Sequence, residues 1–320
     1  MKTHRPLSRL TALTLALLCA LPAAAATAPK KVLMVTVTAG FRHSCIPLSE
    51  EIVTQLAKES GKFTVDFVRQ PADLPKPPAR PRQAKGEDAA AKAAMEKYAA
   101  DEKVYQAALM PKLAQALQKL SPANLKNYDA VIFASTTGDL PLPDKQGFVD
   151  WIASGKGFIG VHAAADTFEK TARFAGFPPY ITMLGGAFMT HGPQVSVDCN
   201  NEDPAHAACK HLPKTWTLFD EIYEFKEFER SKVHGLLSLD KHPQNKAPGY
   251  HGIAWNKMHG KGRVFYTALG HREDVWDPNY KDNNGARKNP PEIAKQFQQH
   301  VLGGILWALG LAPGDAKPKK

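Results

Sequence analysis

The sequence predicts an α/β protein built on a doubly wound, mostly parallel β-sheet. A βαβ unit opens the chain: an apolar run at 31–38, a helical segment that ends at Gly61, and a second strand at 63–68. Continuous apolar runs of this kind are typical of strands that are buried on both faces. Further apolar runs alternate with helical segments as far as a closing helix at 291–309, and this alternation is typical of α/β proteins with a parallel sheet.

The remaining elements follow in order. Ser49 is expected to cap the first helix, and Gly61 to end it, because glycine accepts a left-handed backbone at low cost. Residues 71–120 then interrupt the alternation with a proline-rich basic stretch and an Ala- and Lys-rich stretch, which predicts either an inserted pair of helices packed on the sheet or a mobile flap. Strands are predicted next at 128–134, 157–161, 194–198, 233–239 and 262–269, with a helix at 144–154.

Both ends of the chain are expected to lie outside the folded domain, which is predicted over 31–311. Basic residues, an apolar stretch at 10–21 and small residues at 24–26 together predict a signal peptide over 1–26, and hence a periplasmic or secreted protein. Residues 312–320 form a basic tail. No later stretch is long and apolar enough to predict a transmembrane segment.

The net charge of +10 does not indicate nucleic-acid binding, because the excess is scattered and forms no basic helix. Export would place the chain in an oxidising compartment. There, Cys199 and Cys209 are close enough in sequence to predict a disulfide. Cys45 is then unpaired, and an inert buried role is favoured over a nucleophilic one.

The segment from Gly157 to Asp166 carries the clearest functional signal. An apolar strand stops at His162 and the chain continues in small alanines, which predicts a sharp turn that lifts one side chain to the carboxyl edge of the sheet. Imidazole at that place can bind a metal or move a proton near neutral pH. The alternative is a core strand whose histidine is only capped by a neighbour.

Three other histidines occupy comparable places: His43 and His271 follow strands, and His191 lies in a glycine-rich loop. Because ligands of open α/β sheets bind beyond the carboxyl ends of the strands, His43, His162 and His271 are expected to face one crevice. Imidazoles without thiolates suit a divalent ion, with zinc the first choice. The candidate metal ligands are therefore His43, His162, His191 and His271. The same histidines could instead act as acid–base groups in a sugar site.

Carboxylates near these histidines are candidates for proton transfer. Adjacent Asp220 and Glu221 point to opposite faces of a strand, so only one of them can reach the crevice, and Glu221 is favoured. Asp166 or Glu221 could also serve a metal as a ligand or as a partner of a ligand. The candidate catalytic residues are His162, Glu221 and His271.

Several further residues are candidates for substrate contact, and most have a structural alternative. The candidate substrate-binding residues are Arg42, Asp166, Tyr223, Trp255 and Trp276. Arg42 could instead tie backbone carbonyl groups together, and Asp166 could cap the segment after the turn. The two tryptophans could stack on a sugar ring or pack in the core.

Five ordered motifs resemble those of the ThuA-like (trehalose utilisation) family: GFRHS, GVHAAAD, LGGAFMTH, DEIYEF and GKGRVFYTALGH. The resemblance extends from about Lys31 to Leu309. It implies a flavodoxin-like sheet similar to that of class I glutamine amidotransferases, with His162 in place of the nucleophile, so amidotransfer itself is not expected. It also implies disaccharide or 3-keto-sugar metabolism, a small sugar substrate and a functional link to a sugar dehydrogenase.

The histidine-lined crevice and the family resemblance leave two classes of function open. The first is an exported enzyme of hydrolase, lyase or isomerase type, which acts on a sugar through the histidine-lined crevice, with or without a metal. The second is a non-catalytic carbohydrate- or partner-binding module on the same fold, because a fold alone does not establish chemistry.

Overall fold

The computed structural model describes Met1 and residues 28–81, 89–171 and 174–318, so the predicted signal peptide lies outside the described residues apart from Met1. The strands are β1 (Lys30–Val35), β2 (Phe63–Val68), β3 (Ala130–Ala134), β4 (Gly157–Val161), β5 (Ala187–His191), β6 (Val195–Asn201), β7 (Thr215–Asp220), β8 (Tyr223–Lys226), β9 (His234–Lys241), β10 (Pro248–His259) and β11 (Gly262–Thr267). The helices are α1 (Ile46–Ser60), α2 (Ala89–Ala116), α3 (Pro122–Leu125), α4 (Lys145–Ala153), α5 (Pro178–Leu184), α6 (Glu273–Trp276) and α7 (Pro291–Ala308). Short 3-10 turns lie at Leu117–Leu120, His162–Asp166 and Arg230–Lys232.

Within the described residues, nine strands form one mixed sheet in the order β2-β1-β3-β4-β11-β10-β9-β6-β7. The strands from β2 to β11 in that order run parallel, and the strands from β11 to β7 run antiparallel. Strands β5 and β8 form a separate antiparallel pair. The prediction of an α/β fold is confirmed, whereas the prediction of a mostly parallel sheet holds for only one half. Antiparallel strands need no crossover helix between them, so the sequence of the antiparallel half does not alternate between strands and helices.

The two faces of the parallel half pack against different helices. Side chains alternate along a strand, so in β1 Val32 and Met34 enter one apolar cluster, while Leu33 and Val35 enter the other. Residues of α1 and α7 complete the first cluster, and residues of α2, α4 and α5 complete the second. Because helices cover both faces, polar groups of the parallel strands become accessible mainly at the strand ends.

Several predicted element ends agree with the structure, and one does not. Gly61 ends α1 with a left-handed φ of 61°, and its N–H donates to the Ala57 carbonyl at 3.0 Å. Asp144 caps α4 by accepting a hydrogen bond from the Gly147 N–H at 2.7 Å. The expectation that Ser49 starts α1 is wrong, because α1 begins at Ile46 and the Ser49 hydroxyl donates back to the Ile46 carbonyl.

Among the described residues of the segment 71–120, one long helix replaces the predicted pair. Helix α2 has 28 residues, and its buried positions are Leu109 and Leu113 near its carboxyl end. These leucines pack on the sheet together with Leu117 and Leu120 of the following 3-10 turn. The earlier turns of α2 contribute no buried side chain, so the helix is anchored at one end.

The three described cysteines, Cys45, Cys199 and Cys209, are buried thiols and no two of them form a disulfide, so the predicted Cys199–Cys209 disulfide is wrong. Cys199 lies opposite Trp216 on the neighbouring strand, whereas the Cys209 thiol faces the Leu236 carbonyl at 3.8 Å. Cys199 and Cys209 are close in sequence, but their side chains have different neighbours, and a disulfide also requires a specific geometry. Burial raises the pKa of the Cys45 thiol to about 12, which agrees with an inert role.

The described part of the predicted tail contacts the domain. The Asp315 carbonyl accepts a hydrogen bond from the Asn256 amide at 2.9 Å, and the Lys317 carbonyl lies 2.7 Å from Nδ1 of His234. Of the helices in the described residues, none combines the length and the apolar character that a membrane crossing requires.

Candidate active site

Three chain segments that follow parallel strands bring His43, His162 and His271 together. The ring centroids of His43 and His162 are 4.8 Å apart, and those of His162 and His271 are 5.2 Å apart. The rings of His43 and His271 are separated by 5.3 Å. The expected convergence of these three histidines at the carboxyl edge is thus present in the structure.

His162 occupies a sharp turn directly after β4. Its φ of 50° lies in the left-handed region, which is costly for a residue with a side chain and is typical of functional positions. The small residues around it leave room for this backbone: a side chain at Gly160 would come within 2.9 Å of the Tyr266 ring. The Tyr266 hydroxyl holds the turn by donating to the His162 carbonyl at 2.8 Å. The turn continues as a 3-10 segment.

The two ring nitrogens of His162 have different partners. Nδ1 lies 2.8 Å from the Ala268 carbonyl, which can only accept, so Nδ1 carries the proton and donates. Nε2 therefore has a lone pair, and it accepts a hydrogen bond from the Tyr223 hydroxyl at 3.0 Å. Complete burial lowers the pKa of His162 well below its usual value. His162 is therefore a neutral imidazole that presents Nε2 to the crevice.

His43 contributes a second neutral imidazole. Its ring is 6% exposed and packs edge-on against Phe41 with centroids 4.9 Å apart. Burial, aided by His271 and His191, lowers the pKa of His43 to about 3. Nδ1 of His43 is buried without a hydrogen-bond partner among the described residues. A buried polar atom of this kind normally has a partner, so it marks a position that a ligand can satisfy.

Asp220 and Glu221 act on opposite sides, as their adjacency predicts. Glu221 faces the crevice: its carboxylate is 3.6 Å from Nε2 of His162 and 3.7 Å from Nε2 of His271. Burial raises the pKa of Glu221, and the neighbouring His191 opposes that rise. Asp220 is fully buried and accepts the N–H groups of Gly270 at 2.7 Å and Arg272 at 3.2 Å. Asp220 therefore clamps the loop that carries His271.

Four of these residues form a cluster that could hold a metal ion. One ligand atom from each of His43, His162, Glu221 and His271 lies within 4.8 Å of the others. Three imidazole nitrogens and a carboxylate oxygen are the donor types that zinc prefers. The predicted ligand His191 is exposed at the end of β5, not in a loop, and its Nδ1 contacts the Glu221 carboxylate at 2.9 Å. The cluster therefore contains Glu221 and does not include His191, whose ring contacts the Glu221 carboxylate from the exposed side.

The remaining predicted substrate residues divide into two groups. Trp255 and Trp276 are fully buried and donate to the carbonyls of Leu184 and Gly270, so both belong to the core and offer no face for a sugar. The Arg42 guanidinium donates to the Thr36 carbonyl at 2.8 Å, which is the structural alternative.

Tyr223 and Asp166 lie closer to the histidines. The ring of Tyr223 is 4.4 Å from that of His162. Asp166 is the last residue of the 3-10 segment, and burial, together with Glu169, raises its pKa to about 7.

Two residues beside the cluster, Gln194 and Arg272, were not predicted from the sequence. Gln194 contacts Nδ1 of His271 through its amide nitrogen at 3.1 Å, and its amide oxygen accepts from Arg272 at 2.5 Å. Gln194 precedes β6, which belongs to the antiparallel half of the sheet. The strand-end rule for parallel sheets therefore gave no reason to select it.

Comparison with known proteins identifies relatives of the chain. The model of the ThuA family, described as trehalose utilisation, matches residues 82–283. No curated protein matches the chain. A ThuA-like protein from Parabacteroides merdae has a similar structure, with a TM-score of 0.58 and 19% identity over 90% of this chain and 92% of that one. A ThuA-like protein from Bacteroides uniformis gives a TM-score of 0.52 and 19% identity, covering 90% and 95% of the two chains.

Proposed function

This chain belongs to the ThuA family, and from that premise we propose that it is an enzyme that acts on a disaccharide or a 3-keto-sugar. One observation carries the proposal: a buried cluster of three imidazoles and a carboxylate at the carboxyl edge of the parallel strands. Clustered ionisable groups with shifted pKa values are typical of active sites, and ligands of open α/β sheets bind at this edge.

We propose that the cluster binds a divalent metal, with zinc as the first choice. The residues fit the ion: His162 presents a lone pair on Nε2, and His43 has a buried Nδ1 without a partner among the described residues. When bound, zinc would polarise a carbonyl or hydroxyl oxygen of the sugar or activate a water molecule.

The chain's own groups would perform the proton transfers. If no metal occupies the cluster, Glu221 would act as the general base or acid, because burial raises its pKa and its carboxylate lies between His162 and His271. Tyr223 orients His162, and Asp220 orients the loop of His271. His191 contacts Glu221 from the exposed side and limits its rotation.

Three further proposals concern the setting of the protein. The order β2-β1-β3-β4-β11, with helices on both faces, supports a flavodoxin-like, doubly wound parallel half. The residues of 1–26 support export to the periplasm, with a domain over 31–311. A keto-sugar substrate would link the enzyme to a sugar dehydrogenase, because a dehydrogenase reaction produces such sugars.

Metal content and sugar turnover test the proposed function. Protein purified without an affinity tag should contain one equivalent of divalent metal and should convert a disaccharide or its 3-keto derivative. The variant His162→Ala should lose the metal and the turnover, whereas His259→Ala, which removes a histidine at the end of β10, should keep both.

Two results would contradict parts of this proposal. Turnover without any metal in the wild-type protein would assign the histidines to direct proton transfer. Sugar binding that is unchanged in His162→Ala, with no turnover in either protein, would favour the non-catalytic module.

A further inference from the structure

We infer that Gln194 and Arg272 hold His271 in the tautomer that carries its proton on Nε2. His271 is then a hydrogen-bond donor toward the bound ligand, and the metal set consists of His43, His162 and Glu221. The part that concerns the metal rests on the proposed function, whereas the tautomer of His271 follows from the contacts of the chain alone.

Asp274 is fully buried and fixes the side chain of Arg272. Its carboxylate accepts Nε of Arg272 at 2.9 Å and Nη2 of Arg272 at 3.2 Å. The same carboxylate accepts the backbone N–H of Lys288 at 2.7 Å and the side-chain amide of Asn289 at 3.0 Å. A guanidinium held by two parallel bonds to a fixed carboxylate has one orientation. The Nη1 group of Arg272 is therefore aimed in a defined direction.

The direction of Nη1 decides the orientation of the Gln194 amide. Nη1 lies 2.5 Å from Oε1 of Gln194 and can only donate, so the amide oxygen must face Arg272. A flipped amide would place two donors against each other at that distance. The amide NH₂ group therefore faces His271, whose Nδ1 is 3.1 Å away.

The orientation of Gln194 decides the tautomer of His271. An NH₂ group can only donate, so Nδ1 of His271 accepts and carries a lone pair. A protonated imidazole has no lone pair on either nitrogen, so a ring whose Nδ1 accepts is neutral and its single proton lies on Nε2. Nε2 is 3.7 Å from the Glu221 carboxylate, so the N–H is directed into the crevice.

His162 has the opposite tautomer, since its Nδ1 donates to the Ala268 carbonyl. The crevice therefore receives a lone pair from Nε2 of His162 and a proton from Nε2 of His271. A metal ion binds lone pairs, so His162 fits a ligand and His271 does not. Two histidines, one glutamate and an open position are typical of catalytic zinc sites.

Nitrogen-15 NMR of the imidazole rings in EDTA-treated protein at pH 7.5 tests the tautomer directly. His271, identified by its loss in His271→Gln, should show a protonated Nε2 and an unprotonated Nδ1, and His162 should show the reverse. In Gln194→Glu the carboxylate only accepts, so the proton of His271 should move to Nδ1. The control Gln115→Glu, at an exposed position of α2, should change nothing. A proton on Nδ1 of His271 in the wild-type protein, or no change in Gln194→Glu, would overturn the inference.

A zinc competition titration tests the ligand set. His271→Gln should weaken zinc binding by at most about 10- to 100-fold, as expected for a group outside the ligand set, whereas His162→Ala should weaken it by more than about 100-fold. Gln194→Glu should bind zinc more tightly than the wild type, because it frees the Nε2 lone pair of His271. Equal losses in His271→Gln and His162→Ala would overturn the inference. If the wild-type protein binds no zinc, the metal part of the proposed function fails, and the NMR result still decides the tautomer.

Discussion

Burial sets the chemistry of the individual histidines in the candidate site. It lowers the pKa of His43 to about 3 and that of His271 to about 4. A protonated imidazole has no lone pair, whereas these rings stay neutral at pH 7 and keep one lone pair each. In His162 and His271, hydrogen bonds to Ala268 and Gln194 respectively determine which nitrogen carries the lone pair. The function of these two histidines therefore depends on neighbours that are not ionisable.

Replacement of Tyr223 by phenylalanine tests the lone pair of His162. In metal-free protein the change leaves the buried Nε2 of His162 without its donor, so the free energy of unfolding should fall by about 1–3 kcal/mol. With zinc on that lone pair, the deficit should disappear. Urea unfolding with EDTA and with zinc measures both values.

Tyr128→Phe is the matched control for this experiment. It also removes a hydroxyl hydrogen bond, to Asp66 at 2.9 Å, but on the exposed surface. Its effect on unfolding should be the same with and without zinc. A deficit of Tyr223→Phe that persists unchanged in zinc would contradict a ligand role for His162.

At the level of elements, the sequence predicted the parallel strand ends and missed the partners supplied by the antiparallel half. His43, His162 and His271 each follow an apolar run, so one rule placed them together. Gln194 reaches the site through β6, whose position in the sheet depends on pairing with β7 and β9. Pairing between strands that are distant in the chain leaves no local pattern in the sequence. For Trp255 the sequence left a sugar contact and core packing open, because an aromatic residue has the same pattern in both, and the structure buries it in the core.

Helix α2 allows a test of whether the segment 71–120 is part of the domain. Leu113 is fully buried against the sheet, whereas Val104 on the same helix is 72% exposed. Leu113→Ala should lower the free energy of unfolding by about 2–5 kcal/mol, because it leaves a cavity in the core. Val104→Ala should change it by less than about 0.5 kcal/mol. A single unfolding transition in urea, followed by circular dichroism, measures both. Equal effects of the two variants would mean that α2 is an appendage that does not share the core.

Over the whole molecule, buried groups couple stability to pH in two opposing directions. Burial lowers the pKa of His43 and of His300 from 6.5 to about 3, so their contribution is complete above pH 6.5 and is lost as the pH falls toward 3. Burial raises the pKa of Asp166 and of Asp220 from 3.8 to about 7, so these groups favour the folded state as the pH falls from 7 to 3.8. His162 and His271 act in the same direction as the other two histidines. Glu221, whose pKa burial also raises, acts in the same direction as the two aspartates. The four histidines outweigh these three carboxyl groups, and acid should therefore destabilise the protein.

His300 isolates the histidine contribution away from the candidate site. It is fully buried on α7, its Nδ1 donates to the Ala208 carbonyl, and its Nε2 has no partner among the described residues. Protonation of the unfolded chain at pH 5 should therefore cost the wild type about 2 kcal/mol through this residue alone. In His300→Asn, the loss of unfolding free energy between pH 7 and pH 5 should be smaller by that amount, as measured by urea unfolding in EDTA. Phe297→Leu, one turn earlier on the same helix, should lower stability equally at both pH values. The same pH dependence in His300→Asn and wild type would show that the acid sensitivity arises elsewhere, with the site histidines as the next residues to replace.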